Sequence, residues 1–471
     1  MMYSIIKNEW LQYSRDKRIV WLIAFLLLIS AFALWHQLDF QNQLNSTRMK
    51  AQQDSRREWL SQELKHPHIA AHFGNYAYKK PALLHCFDPG LSIYTGTSVY
   101  MEPHRQNDFL FSKGQESDTG IRFGWLSPAL ICQLLLPLLI IVLSFNSING
   151  EVEKGTMSLL LSQGISFRQL LFAKTLAVFL VFEIFVTAYL LATATAAGLL
   201  LKAAVDPAGI FYLWLVYSCY CIIWSLSGVY ISSRIKNAGG AIAVLLLCWM
   251  FTNILLPRIS ANIAENVYPV ATNYQFRKKI SEAIEKGLDG HDAQGERAKR
   301  IEQELLAKYK VDSVEQLPFN FEGYIMQQGE EYSSKVYDNY FGEIFNSLKK
   351  QKTLQSWLGL GSPFVALRNI SMAASNASLE SEIDFQQQAE HYRRSFVQNL
   401  NNDMRDNSAY GSFNTYKVSK DTYGSINDVE IKNHPLAWSF PHIIPDNIGL
   451  LCWLLVLVIL MYNRSNITGY H

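Results

Sequence analysis

The stretch that decides the fold is FNSINGEVEKGTMSLLLSQGISFRQLLFAK, residues 145–174, a polar segment between two long apolar runs. Gly155 interrupts the chain, and Thr156 can cap a short helix that follows it. Gly164 can end this helix in a left-handed conformation. The pattern therefore predicts a short helix over residues 157–163.

A second helix is predicted to begin almost at once. Ser166 and Gln169 fit a capping box, which places the start of the next helix near Phe167. This helix continues through Lys174 into an apolar run, and at about 35 residues it would be near 50 Å long. Residues 145–174 are thus predicted to connect two membrane spans.

Six apolar runs are predicted to cross the bilayer, and they approach or reach the length of about 17–25 residues that a span needs. The average composition, 49% hydrophobic and 17% charged, hides them because long polar segments dilute the apolar ones. The predicted spans are residues 19–36, 126–145, 175–201, 209–231, 238–257 and 448–462. The sequence therefore predicts an α-helical polytopic membrane protein with six transmembrane helices.

The basic residues of the short connections predict the orientation. All lie on one side of the predicted spans: Lys7, Arg15, Lys17, Arg18, Arg168, Lys174, Arg234, Lys236 and Arg464. We expect that side to be the cytoplasm, with both termini inside and residues 463–471 as a cytoplasmic tail. Two large extracytoplasmic segments are then residues 37–125 and 258–447.

Residues 1–18 place Tyr3, Ile6, Trp10 and Tyr13 at spacings of three and four. This pattern predicts an amphipathic helix lying in the membrane interface, with its aromatic rings as anchors. The alternative is a plain cytoplasmic tail.

The two large segments are predicted to be mainly helical. Residues 37–65 contain no Gly or Pro and favour a helical stalk that continues the first span. Further helices are predicted as a pair within residues 280–310, broken at 287–295, and over 324–350 and 384–404. Residues 406–435, which mix Thr, Tyr and Val with Gly and Asn, favour a short hairpin or an ordered loop.

Residues 146–174 resemble the first cytoplasmic loop of ABC type-2 transporter permeases, which tends to read E-x-E-x-G-T before a leucine-rich turn. The matching residues are Glu151, Glu153, Gly155, Thr156, Leu159, Leu160, Ser162, Ser166, Arg168 and Lys174. Gly164 and Ala173 depart from the pattern, where the family often has proline and glycine. The resemblance implies a coupling helix that docks on a separate ATPase, with Glu151, Glu153, Gly155, Thr156, Leu159 and Leu160 as the coupling residues. The alternative is an ordinary polar connector.

A second block resembles a subgroup of these permeases that carries large periplasmic insertions. The residues that match its motifs are His72, Phe73, Gly74, Asp88, Pro89, Gly90, Tyr94, Gly96, Glu102, His104, Gln106 and Asn107. In the same family an elbow helix, similar to residues 1–18, opens the chain. The subgroup resemblance implies a multi-pass protein of the bacterial inner membrane with a periplasmic domain.

Histidines in this block raise the question of a metal site. His66, His68 and His72 lie close together, and His85, Cys86, Glu102 and His104 follow. These side chains suit zinc or copper, but their spacing is not that of a dedicated site. We therefore assign them to hydrogen bonds within turns and predict no metal.

Glu183 lies within the third predicted span. A carboxylate inside a bilayer is costly and marks either a transport pathway or a buried hydrogen-bond partner. The fourth predicted span offers Tyr217, Ser218 and Ser225 as partners. Both interpretations remain open.

The function implied by the resemblance is that of a permease subunit in an ATP-driven ABC transporter. The chain lacks the motif G-x-x-x-x-G-K-[ST], so we expect no ATPase activity and no cofactor in this chain, with ATP and Mg²⁺ bound by the partner. The expected partners are two ATPase subunits, a second permease that is identical or homologous, and membrane lipid, but no nucleic acid. An alternative is mechanotransmission, in which ATP drives a periplasmic or outer-membrane protein without transport. An ion-coupled secondary transporter would need inverted repeats that the sequence does not show.

Overall fold

The computed structural model describes residues 2–110, 126–202, 205–288 and 294–465. Within these residues, six helices are long and apolar enough to cross a membrane. In chain order they are Lys17–Ser61, Pro128–Glu153, Phe167–Leu201, Pro207–Arg234, Ala238–Val267 and Leu436–Arg464, called here the first to sixth span. The predicted class, an α-helical polytopic membrane protein with six spans, is confirmed.

The chain begins with an N-terminal helix, Met2–Arg15, which packs against the third span. The Trp10 indole donates a hydrogen bond to the carbonyl of Ala177 at 3.0 Å. Asp16 then caps the first span by accepting from the backbone N–H of Arg18. The N-terminal helix is thus held partly by its contact with the third span. Its aromatic residues predict interfacial anchoring in addition.

The first span is a single helix of 45 residues, Lys17–Ser61. At 1.5 Å per residue it is about 68 Å long, more than twice the bilayer core of about 30 Å. Its second half is the helical stalk that the sequence predicts. The first span therefore connects the N-terminal helix to the first large segment without a break.

The second and fifth spans each contain a π-helical turn immediately before a proline. In the second span, Pro128–Leu130 leads through the π turn Ile131–Leu135 into Leu136–Ser144. In the fifth, Ala238–Met250 leads through Phe251–Leu255 into Leu256–Val267. Proline has no N–H and clashes with the carbonyl four residues earlier, so a local π turn accommodates it.

Tyr220 on the fourth span lies between these two turns. Its hydroxyl donates to the carbonyl of Gln133 at 2.9 Å, the group that Pro137 leaves without a helical donor. It also contacts Oδ1 of Asn253 at 3.2 Å. Tyr220 is fully buried, so one side chain satisfies polar groups on two neighbouring spans.

The first large segment holds a small sheet that the sequence did not predict. Its antiparallel strands are β1 (Asn75–Tyr78), β2 (Ser98–Met101) and β3 (Phe109–Leu110), in the order β1-β2-β3. Short helices surround it: Pro67–Ala71, the 3₁₀ turn Leu83–Cys86, and Ser92–Thr95. The pairing of β1 with β2 joins residues 20 to 26 positions apart, which local patterns do not reveal.

The second large segment is helical, as predicted. Its helices are Asn273–Lys286, Gln294–Tyr309, Phe321–Leu358, Pro363–Ala374, Leu379–Asn407 and Lys420–Ser425. Of the two forms predicted for residues 406–435, a short hairpin or an ordered loop, the structure shows the loop, which follows the end of Leu379–Asn407 and contains the short helix Lys420–Ser425. The predicted break at 287–295 lies partly outside the described residues.

The two large segments pack together into one lobe, which we call the outer lobe. Trp59, at the end of the first span, packs its ring against Phe73, Phe396 and Tyr423. The buried Lys79 ammonium forms a salt bridge with Glu382 of the helix Leu379–Asn407. The six cysteines, all within the described residues, are free, so the lobe is joined by noncovalent contacts.

One helix of the second large segment lies among the spans instead of within the outer lobe. Pro363–Ala374 is almost entirely buried and packs against the fourth and sixth spans. Ser362, which caps it, donates to the carbonyl of Thr252 in the π turn of the fifth span at 2.6 Å. Through this helix the outer lobe is attached to the membrane bundle.

Candidate functional site

The connection between the second and third spans follows the predicted path closely. Gly155 adopts a left-handed conformation, φ +72°, and the short helix Thr156–Ser162, called here the loop helix, follows it. Gly164 is also left-handed, φ +80°, and the predicted capping box of Ser166 and Gln169 starts the third span at Phe167. The loop helix thus begins one residue earlier than predicted.

Thr156 does not cap the loop helix, contrary to prediction. Its hydroxyl instead donates to the Glu151 carbonyl at 3.2 Å and to the Glu151 carboxylate. Gly155 takes the capping position with no side-chain hydrogen bond. Thr156 therefore fixes the turn between the second span and the loop helix.

A buried cluster of three charges lies at the base of this connection. The Lys174 ammonium lies 2.7 Å from Glu9 of the N-terminal helix and 2.6 Å from Glu151. The three side chains are 4%, 6% and 17% exposed, in the order Lys174, Glu9, Glu151. Buried charges require such pairing, because removing one partner leaves an uncompensated charge. The cluster connects the second span, the third span and the N-terminal helix.

Further hydrogen bonds attach this connection to neighbouring spans. The Ser232 hydroxyl, near the end of the fourth span, accepts from the backbone N–H of Ile148 at 3.0 Å. The exposed carboxylate of Glu153 accepts from the backbone N–H of Ala238, the first residue of the fifth span, at 3.3 Å. The connection is therefore in contact with four of the six spans.

The leucines of the loop helix point in different directions. Met157 is buried. Leu160 is half-buried and packs against the hydrophobic core that the spans form. Leu159 is 58% exposed and Leu161 is 38% exposed. Met157 and Leu160 pack against their own chain, so of the two leucines among the implied coupling residues Leu160 faces inward. Leu159 is the most exposed apolar residue of the loop helix, and Leu161 is less exposed.

Glu183 is hydrogen-bonded to a neighbouring span, as the interpretation of a buried hydrogen-bond partner requires. Its Oε1 accepts from the Ser218 hydroxyl on the fourth span at 2.9 Å and from Thr187 at 3.4 Å. Its Oε2 is buried and has no hydrogen-bond partner. The contact with Ser218 favours a role in joining the third and fourth spans.

The motif residues of the first large segment fall into two separate places. Asp88 and Gly90 lie where the outer lobe meets the spans. The Asp88 carboxylate accepts from Ser371 at 2.5 Å and from the backbone N–H of Gly90 at 3.0 Å. Burial raises the pKa of the Asp88 carboxyl above its ordinary value of 3.8, against the effect of the Ser371 and Gly90 hydrogen bonds.

A hydrogen-bonded chain runs from Asp88 into the membrane bundle. Ser371 is 3.0 Å from the Tyr217 hydroxyl, and Tyr217 accepts from the Gln133 amide at 2.9 Å. Gly90 has φ +49°, and a Cβ there would collide with Ala377. The Asp-Pro-Gly motif therefore joins the first large segment to the helix Pro363–Ala374 and, through it, to the spans.

His72, Gly74, Glu102 and His104 lie together on the other side of the first segment. Gly74 has φ +70°, and the Tyr100 hydroxyl occupies the space that a Cβ would need. Glu102 accepts from the Asn107 amide at 2.9 Å. The contacts of Gly74 and Glu102 hold the turns before β1 and after β2.

Of the histidines considered above, three come together. His68, His72 and His104 place their potential ligand atoms within 4.8 Å of one another. His66 instead accepts from the backbone N–H of His68, and His85 bonds to the carbonyl of Asn376. The sequence spacing did not indicate this grouping because His72 and His104 are 32 positions apart.

The environments of the clustered histidines differ. Burial and the neighbouring His72 and His104 lower the pKa of His68 to about 4. The hydrogen bond to Glu330 raises the pKa of His104. His68 is therefore neutral at physiological pH, the protonation state in which imidazole binds metals.

Comparison with known families gives two matches. Residues 95–275 match the family described as ABC-2 family transporter protein. Residues 273–430 match a Domain of unknown function (DUF3526). Neither a curated protein nor a solved structure matches the chain.

The first match covers the second to fifth spans and the loop helix. Residues 95–275 are thus similar to ABC-2 family transporter proteins, and this similarity supports a membrane component of an ABC transporter. Such a permease is a membrane subunit and not itself the ATPase. The second match carries no functional assignment.

Proposed function

We propose that the chain is the permease subunit of an ATP-driven ABC transporter and that the loop helix docks on a separate ATPase subunit. The observation that carries the proposal is the exposed Leu159 on a short helix that is held firmly to the spans. Docking would remove this apolar side chain from water, which favours association. The match over residues 95–275 implies an ATPase partner.

Coupling would use the buried charge cluster. Because Lys174 joins Glu151 to Glu9, a displacement of the loop helix reaches the third span and the N-terminal helix together. Thr156 makes the turn at Glu151 stiff, and Glu153 contacts the start of the fifth span. In this proposal Glu151 and Thr156 are positioning residues, and Leu159 contacts the ATPase.

The proposed orientation places the loop helix in the cytoplasm and the outer lobe outside the inner membrane. Its support is the basic bias of the short connections. The Arg464 guanidinium donates to the carbonyl of Ser233 at 2.9 Å, so the ends of the fourth and sixth spans share one face. The N-terminal helix lies on that face through the Glu9–Lys174 pair.

We further propose a second permease, identical or homologous, as a partner. An apolar strip on the fifth span supports it, with exposed side chains every four residues at Phe251, Leu255, Ile259, Ile263 and Val267. The 30-residue helix is about 45 Å long, so its last two turns extend past a bilayer core of about 30 Å. In the proposed orientation Ile263 and Val267 lie beyond the bilayer core, and a second chain would cover them. Two permeases would bind two ATPase subunits, and these subunits would bind ATP and Mg²⁺.

Mechanotransmission is the second candidate, favoured by one specific observation. The first span runs unbroken from the Asp16 cap, beside the N-terminal helix, to Trp59 in the core of the outer lobe. A rigid rod of this length can carry motion to a protein outside the membrane. A transporter accumulates its substrate in sealed vesicles, whereas a mechanotransmitter requires an outer partner and accumulates nothing.

The test of docking is copurification of the ATPase with the chain and with two variants at one position. Leu159→Asp places a charge on the exposed site and is expected to weaken ATPase binding by about 10-fold or more. Leu159→Met is the matched control and should bind as the parent does. If Leu159→Asp retained full binding and coupled ATP hydrolysis, the loop helix would not be the docking element.

A further inference from the structure

The three clustered histidines lie on two adjoining turns of the outer lobe. His68 is on the helix Pro67–Ala71, and His72 follows one turn later, at the end of this helix. His104 lies beyond β2, with its backbone at φ +65°. The ring centroids are 4.8 Å apart for His68 and His72, and each lies 5.3 Å from the ring of His104.

We propose that His68, His72 and His104 bind one divalent transition-metal ion of the zinc and copper class. The Nε2 atoms of His68 and His72 are 3.3 Å apart. Two nitrogens at 2.0–2.1 Å from a tetrahedral zinc ion lie about 3.3–3.4 Å from each other. The spacing of these two ring atoms is thus already that of a ligand pair, and it joins residues four positions apart on one face of a helical turn.

The third histidine has the support that a metal ligand needs. Nδ1 of His104 lies 2.5 Å from Oε1 of Glu330, and the backbone N–H of His104 donates to the same oxygen at 2.7 Å. Arg393 holds the other oxygen of Glu330 at 3.3 Å. This carboxylate fixes the ring of His104 and leaves its Nε2 for the ion, as in carboxylate–histidine–metal arrangements.

The composition of the cluster selects the class of ion. Three imidazoles suit zinc, copper or nickel, whereas Mg²⁺ and Ca²⁺ prefer oxygen ligands. The nearby Glu102 carboxylate is held by Asn107, so the described part of the chain offers three ligands. His72 and His104 are exposed to solvent, so an ion can reach the cluster. A fourth position remains for water or for a donor atom of another molecule.

Metal binding would also stabilise the outer lobe. The three ligands belong to the first large segment, whereas Glu330 and Arg393 belong to the second. An ion that binds only the folded cluster favours the packed lobe in proportion to its concentration and affinity. This proposal concerns the outer lobe alone and does not rest on ATPase coupling.

The experiment uses the full chain, purified in detergent with an affinity tag that contains no histidine and stripped with a chelator. Zn²⁺ is added, excess ion is removed, and bound zinc is measured by elemental analysis and by competition with a chromogenic chelator. We expect one tightly bound Zn²⁺ per chain. His72→Ala and His104→Ala should each weaken binding by about 100-fold or more, and Mg²⁺ should not compete.

His391→Ala is the matched control, because His391 is an exposed histidine of the same lobe outside the cluster. This variant should bind zinc as the parent does. Glu330→Gln tests the positioning role and should weaken binding by about 10–100-fold while the stoichiometry stays at one. Glu330→Asp should also weaken zinc binding, because the shorter side chain withdraws the carboxylate from Nδ1 of His104.

A spectroscopic measurement on the unaltered chain tests the proposal even if a variant folds poorly. Electron paramagnetic resonance of the Cu²⁺-loaded parent should show nitrogen coupling from several imidazoles, and the absence of this coupling would contradict the proposal. The proposal is overturned if the stripped parent binds less than about one tenth of an ion per chain. It is equally overturned if both alanine variants bind zinc as tightly as the parent.

Discussion

The Nζ atom of Lys174 lies 2.6 Å from Oε1 of Glu151, and this pair joins the base of the third span to the end of the second. Glu9 completes the cluster from the N-terminal helix at 2.7 Å. All three side chains are largely buried, so the attachment of the loop helix depends on charges that have little access to bulk water. The cluster also explains why the N-terminal helix packs where it does.

The first prediction is that Lys174→Met strongly destabilises the protein. The change leaves the carboxylates of Glu9 and Glu151 buried beside each other without a cation, at a cost of about 3–5 kcal/mol. Thermal unfolding in detergent should show a clear drop in Tm. The triple variant Lys174→Met/Glu9→Gln/Glu151→Gln removes all three charges and should regain most of the loss. An unchanged Tm for Lys174→Met would contradict the buried cluster.

Features that depend on neighbouring residues could be predicted from the sequence. Features that depend on packing between distant parts of the chain could not. The capping box of Ser166 and Gln169 places the start of the third span correctly, because it depends on neighbours three residues apart. Three leucines in a row, residues 159–161, carry no periodicity, so the inward Leu160 and the outward Leu159 could not be told apart. Only packing against the spans separates them.

The outer lobe shows the same limit at a larger scale. The pairing of β1 with β2 and the placement of Pro363–Ala374 among the spans depend on contacts between distant parts of the chain. The histidine cluster also depends on a long-range contact, because it joins His72, which precedes β1, to His104, which follows β2. Composition correctly indicated helices in the second segment, since its charged and apolar residues repeat with helical spacing.

The second prediction concerns Asp88 at the contact between the outer lobe and the spans. Asp88→Asn keeps groups able to bond with Gly90 and Ser371, so it should be tolerated. Asp88→Ala leaves those partners unsatisfied in a buried place and should cost about 1–3 kcal/mol. Thermal unfolding of both variants against the parent measures the difference. Equal loss in the two variants would show that the Asp88 hydrogen bonds do not matter.

The same residue gives an expected pH dependence. Burial raises the pKa of Asp88 above 3.8, so the folded protein binds this proton more tightly than the unfolded chain does. Its contribution to stability is therefore full below the unfolded pKa and is lost as pH rises through the folded value. We expect Asp88→Asn to remove this loss, so the difference in Tm between variant and parent should grow in favour of the variant from pH 4 upward. A difference in Tm that does not change with pH would contradict the raised pKa.

The third prediction tests the second permease through the apolar strip of the fifth span. Ile263→Cys lies on the strip, and Glu265→Cys lies two residues on, about 200° around the same helix. A short bismaleimide should cross-link two chains through the first variant and not through the second. The parent measures the background from Cys248 and Cys452, which are exposed on the fifth and sixth spans. Equal cross-linking of the two variants would argue against a specific interface.

The fourth prediction fixes the orientation of the chain in the membrane. Ser46 on the extension of the first span and Glu343 in the second large segment are exposed, as is Ser158 on the loop helix. In intact spheroplasts, an impermeant maleimide should label Ser46→Cys and Glu343→Cys but not Ser158→Cys, because the basic connections lie inside. After the membrane is opened, Ser158→Cys should become reactive, which shows that its thiol is accessible. Labelling of Ser158→Cys alone in intact spheroplasts would reverse the orientation and place the loop helix away from any cytoplasmic ATPase.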